Sequence, residues 1–98
     1  MIIDYNGGKI NNNALLFFYA SWSSNCNLHL DALKRINKEY NDLIILRINT
    51  SKYVNLKKEF NINKIPTFIL YIEDEIKARI DGYKDQYSLI NWIKKNRS

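Results

Sequence analysis

The chain has a single cysteine, so it can close no disulfide of its own, and a small secreted domain held by cystine bridges is excluded. With one proline and three glycines in 98 residues, it is neither collagen-like nor a low-complexity linker. Its one histidine, His29, has no second metal-ligand candidate beside it, and no metal site is expected. A Gly-rich phosphate loop and a Ser–His–Asp order are both missing. The longest apolar run, Ala14–Ala20, falls far short of the roughly 20 residues a spanning helix needs, and no membrane association is expected. The opening Met-Ile-Ile-Asp-Tyr lacks a basic stretch followed by an apolar one. The expectation is therefore no signal peptide and a cytoplasmic location.

What is present is material for a core. Hydrophobic residues make up 46% of the chain and aromatics 13%, too much for a disordered tail. The length fits one domain, residues 1–98. The net charge of +5 raises nucleic acid as a partner, but the lysines are scattered rather than striped, so none is expected. Lys94, Lys95 and Arg97 crowd the C-terminus, where positive charge suits the negative end of a helix dipole.

The hydrophobic pattern changes period along the chain. Ile2–Tyr5 is a short strand-like run stopped by Asn6-Gly7-Gly8. Ala14–Ala20 is continuously apolar, the signature of a strand buried on both faces. From Cys26 to Tyr40 the apolar positions Cys26, Leu30, Leu33, Ile36 and Tyr40 step by helical intervals. Leu43–Ile48 is a second apolar strand, with Arg47 as its only charge. Ser51 is a cap candidate for a short helix carrying Tyr53, Val54, Leu56 and Phe60. Strands follow at Phe68–Ile72 and Ile76–Ile80, joined by a polar turn at Glu73-Asp74-Glu75. Asp85 is placed to cap a last helix whose apolar side is Leu89, Ile90, Trp92 and Ile93. The order β, β, α, β, α, β, β, α predicts a mixed sheet: parallel across the strand–helix–strand unit, antiparallel in the closing hairpin.

Trp22-Ser23-Ser24-Asn25-Cys26 lies where a buried strand hands over to a helix. A thiol in the first turn of a helix faces unpaired N–H groups and the positive end of the dipole. Both favour thiolate over the usual pKa of about 8.5. Taken alone, the same cysteine reads as a small buried hydrophobe. Trp22 reads as a partly exposed residue lining a substrate surface.

Tyr19-Ala20-Ser21-Trp22-Ser23-x-x-Cys26 resembles the signature of the thioredoxin family, aromatic-Ala-x-Trp-Cys-x-x-Cys. Ile65-Pro66-Thr67 resembles the family's Ile-Pro-Thr, whose proline is cis, and Gly82, Asp85 and Leu89 match its last hairpin and helix in spacing. The resemblance runs over about residues 14 to 96. It implies an α/β, thioredoxin-like mixed β-sheet flanked by helices, with an N-terminal region too short for the family's full first helix. It also implies thiol–disulfide exchange on protein substrates, electrons supplied by a thioredoxin reductase, no cofactor, and a monomer. Position 23 would be the nucleophile, Cys26 the resolving thiol, and Trp22, Ile65, Pro66 and Thr67 the peptide-holding surface.

The departures concern the chemistry. Ser23 stands where the family has its nucleophilic cysteine, and a serine hydroxyl does not exchange with disulfides, so the chain as written cannot run the dithiol cycle. Phe17 occupies the place of a buried Asp that is thought to assist proton transfer, and Arg47 that of a neighbouring Lys, so Arg47 needs another partner. Ser23 is read as a Cys→Ser replacement in a chain whose natural motif is Cys-Ser-Asn-Cys. The alternative is a natural serine in a redox-silent module that binds a partner through the Trp22/Pro66 groove. Cys26 itself is expected to be buried by Phe17, Leu30 and Ile65 and protonated at neutral pH.

Overall fold

The computed structural model describes residues 1–10, 12–22, 30–82 and 84–97. Along the chain run β1 (Ile2–Asp4), β2 (Ala14–Tyr19), α1 (Leu30–Glu39), β3 (Ile44–Asn49), α2 (Val54–Glu59), β4 (Thr67–Ile72), β5 (Glu75–Asp81) and α3 (Gln86–Arg97). The element order is the one the hydrophobic pattern implies. The strands form one sheet in the order β1-β3-β2-β4-β5. β3 pairs parallel with both β1 and β2, whereas β4 pairs antiparallel with β2 and β5.

The continuous apolar run of β2 is explained by its central place, because both of its faces are covered. Leu15 and Phe17 face α1 and α3 together with Ile45, Phe68 and Leu70. Ala14, Leu16 and Phe18 face the other way, with Leu46, Ile48 and Ile69, towards Leu56 of α2 and Phe60 beyond it. All of these except Phe60 and Leu56 are 2% exposed or less. Burial of whole aliphatic and aromatic side chains contributes about 1.5–3 kcal/mol each before chain entropy is subtracted.

Three local readings change. Leu30, expected on the buried stripe of α1, is 42% exposed. The stripe consists of Ala32, Leu33 and Ile36, and at 100° per residue Leu30 lies roughly 110° from its centre. Ser51 does not cap α2. That helix starts after Tyr53 with no side-chain cap, and the Ser51 N–H donates to Asn49 Oδ1 at 2.9 Å. On β5, Ile76 is 49% exposed, because this is an edge strand with an irregularity opposite Leu70 and Tyr71.

Other local expectations match the structure. The β4–β5 turn places Glu73 and Asp74 at φ 53° and 62°, the paired left-handed residues of a type I′ hairpin. Asp85 caps α3: Ser88 donates its backbone N–H and its hydroxyl to the carboxylate, each at 2.9 Å. These two bonds hold the Asp85 carboxyl below the ordinary range. The far end of α3 is tied down by Arg97, whose guanidinium pairs with Asp42 and lowers that carboxyl as well.

Candidate functional site

Strand direction gathers the candidate residues at one end of the sheet. β2 and β3 run parallel and finish side by side, with Tyr19 in register with Asn49. β4 is antiparallel to β2, so it starts at this same end, just after Pro66. β5 finishes there, with Asp81 opposite Thr67. The end of a parallel pair, where the chain leaves towards helices on opposite faces, is where open α/β sheets present their sites.

Four connections meet at this end. The turn after β2 carries Ser21 and Trp22, the latter 77% exposed. It is held by Asn49, which donates from Nδ2 to Ser21 Oγ at 3.0 Å and accepts the Ser51 N–H on Oδ1. One side chain thus fixes both the Trp22 turn and the β3–α2 connection. Thr50 adds a second tie, with its backbone N–H and its hydroxyl both donating to the Tyr19 carbonyl, at 2.8 and 3.0 Å.

The Ile65–Pro66 peptide is cis. Pro66 is buried and Ile65 half-buried. Thr67 is fully buried, and its hydroxyl donates to the Lys64 carbonyl at 2.5 Å and lies 3.3 Å from Asp81 Oδ1. Its side chain therefore ties the loop together. Gly82, at φ 89°, donates its N–H to the Pro66 carbonyl at 2.7 Å, a backbone conformation that suits glycine.

Arg79 holds the loop from β5. Its Nη1 donates to the Phe60 carbonyl, its Nη2 to the Asn61 carbonyl at 2.8 Å, and its Nε to Asp81 Oδ1 at 2.8 Å. All three nitrogens of one guanidinium thus bind the loop leading to Pro66 to β5, which ends at Asp81. No residue pattern marks this role, because two of the three acceptors are backbone carbonyls. The role of Asn49 had a signal, since an Asn-Thr-Ser sequence following an apolar strand is rich in side chains that bond to nearby backbone.

Between the Trp22 turn and the 62–65 loop lies a cavity of about 150 Å³, with Trp22, Ile62 and Ile65 among its walls. Trp22, Ile65 and Pro66 thus come together at this end. Ser23 and Cys26 lie outside the described residues, as do His29 and the burial expected for Cys26. Among the described residues, no group of three His, Cys, Asp or Glu side chains is arranged to hold a metal ion. No helix among them is long and apolar enough to cross a membrane.

Below the site, Phe17 is 1% exposed, stacked on Tyr19 at 5.8 Å and tilted against Phe68 at 5.1 Å. Arg47 is its register partner. The guanidinium turns to Asp4 on β1, with Nη1 3.2 Å from Oδ1, and lies 4.9 Å from the centre of the Tyr19 ring. Its Nε is buried without a hydrogen-bond partner among the described residues.

Residues 8–95 match the thioredoxin family, and the chain belongs to it. It is 31% identical over 80 residues to the chloroplast thioredoxin Y2 of Arabidopsis thaliana; the match takes in 81% of this chain and 48% of that protein, so the chain spans about half the length of this relative. It is 30% identical over 83 residues to the thioredoxin of Rickettsia felis, covering 84% of this chain and 79% of the relative. Among solved structures, thioredoxin NaTrxh of Nicotiana alata superimposes with a TM-score of 0.86 over 99% of this chain and 93% of its own, at 20% identity, a likeness of fold alone.

Proposed function

We propose that this chain is a single thioredoxin-type domain built for thiol–disulfide exchange with proteins, and that Ser23 disables the exchange as written. The observation that supports this most is that Trp22, the Ile65–Pro66 loop and the end of β5 lie at one end of the sheet, with Trp22 directly preceding Ser23-Ser24-Asn25-Cys26 in the sequence.

With cysteine at position 23, the cycle balances in two displacements. The position-23 thiolate attacks one sulfur of a substrate disulfide and expels the other as thiolate, leaving a mixed disulfide. The Cys26 thiolate attacks the position-23 sulfur, frees the second substrate thiol and leaves an intramolecular disulfide. A thioredoxin reductase returns the two electrons, and the chain itself needs no cofactor. A serine oxygen cannot take the first step. A chain with one cysteine suits a reducing compartment such as the cytoplasm, working as a monomer.

Phe17 favours a second reading. A fully buried ring stands opposite Arg47, and Asp4, the carboxylate beside Arg47, is engaged in an ion pair with it. In this reading the chain is a redox-silent module that holds partner segments on the Trp22–Pro66 surface. The separating experiment is mild oxidation of Ser23→Cys followed by thiol counting. Loss of both thiols without dimerisation supports the dithiol reading. Two persistent thiols support the binding module.

A further inference from the structure

The cavity beside Trp22 has a sign of charge. Lys57 and Lys64 lie on its rim, and no Asp or Glu is among the described residues that line it. Arg35, Arg47, Arg79 and Arg97 each hold an ion pair. Both lysines are exposed, and neither meets a carboxylate among the described residues. A neighbouring hollow shares Lys57 and adds Lys58. Trp22, Ile62 and Ile65 supply the apolar part of the lining, and Thr50, Ser51 and Asn63 its neutral polar part.

We infer that this cavity receives an acidic side chain of a partner peptide, so that the chain prefers segments with Glu or Asp beside the residues held at the Trp22–Pro66 surface. The inference rests on the reading that this surface holds a peptide. A cavity of about 150 Å³ has room for one side chain. The apolar side chains in the lining reduce solvent screening of a carboxylate near the two lysines, which strengthens their attraction. Exposed tryptophan is a residue type enriched in binding hot spots. Nucleic acid fits less well, because a phosphodiester backbone needs cations spaced along a track, whereas these converge on one concavity.

The test titrates the ¹⁵N-labelled protein with two capped peptides, Ala-Glu-Ala-Ser-Ala-Glu-Ala and its twin with Gln in place of Glu. The Trp22 indole and the Asn63 and Lys64 amides report the site. The acidic peptide is expected to bind about fivefold more tightly than its twin, as two partly screened ion pairs would give. The preference should vanish in the Lys57→Gln, Lys64→Gln double variant and at about 1 M salt, where the screening length is about 3 Å. Equal affinities with Trp22 shifted would overturn the inference and leave the peptide-holding reading intact, as would a preference that survives in the double variant. No shift at Trp22 with either peptide would overturn both. A single-stranded oligothymidine binding these residues more tightly than the acidic peptide would overturn the inference in favour of nucleic acid.

Discussion

Asp4 and Arg47 are register partners on adjacent parallel strands, and their side chains meet at 3.2 Å on the face that also carries Phe17. Asp4 is mostly exposed, with 72% of its side chain accessible, whereas Arg47 keeps 31% and lies over the Tyr19 ring. The ion pair is therefore worth little and the packing more. Asp4→Asn is expected to cost less than about 1 kcal/mol in urea unfolding. Arg47→Ala should cost clearly more, because it also strips cover from Tyr19. Equal losses for the two variants would show that the charge, and not the packing, is what Arg47 contributes.

Arg79 should act on the site without belonging to it. Arg79→Ala removes the donors for the Phe60 and Asn61 carbonyls and frees Asp81. Hydrogen bonds from a charged donor contribute about 1.5–3 kcal/mol, so a stability loss of this order is expected. Amide exchange should quicken over residues 60–67 while α1 keeps its protection. Uniform quickening across both regions would show a global effect and contradict a local clamp.

The β4–β5 turn offers a stabilising change. Asp74 adopts φ 62° and donates its N–H to Asn12 Oδ1. Asp74→Gly keeps that bond and suits the type I′ geometry, so a gain of about 0.5–1 kcal/mol is expected, read as a higher urea midpoint. An unchanged or lower midpoint would show that the aspartate tolerates this conformation without cost.

Acid should weaken both ends of α3. The Asp85 carboxyl is lowered by its bonds from Ser88, and Asp42 by its bond from the Arg97 guanidinium, both from an ordinary value of 3.8. A carboxyl whose folded pKa lies below its unfolded one stabilises the fold above the unfolded value. That contribution fades as pH falls through the folded one. The stabilities of the native chain and of Asp42→Asn or Asp85→Asn should therefore differ at neutral pH and converge below about pH 4. A constant difference down to pH 2 would contradict this.

The order of elements was legible because the apolar period switches between two and 3.6 at each boundary, and β2 announced its central place by being apolar on both faces. The surface around Trp22 and Pro66 was legible as a pattern of residue types. Leu30 misled because stepping from Cys26 set the helical phase before the packing partners were known. Ser51 misled because its neighbour Asn49 bonds to the same backbone turn. Arg47 was visibly in need of a partner, but Asp4 became identifiable only through the parallel register of β1 and β3. Arg79 had no pattern at all, since its carbonyl acceptors lie 18 and 19 residues away.

The most direct test of the account is reduction of insulin by dithiothreitol or by a thioredoxin reductase, followed as turbidity, with the chain as written and with Ser23→Cys. The account predicts background rates for the chain as written and catalysis by Ser23→Cys, abolished again when Cys26 is replaced by serine in that variant. Turnover above background with Ser23 in place would contradict it, because a nucleophile other than residue 23 would then be at work.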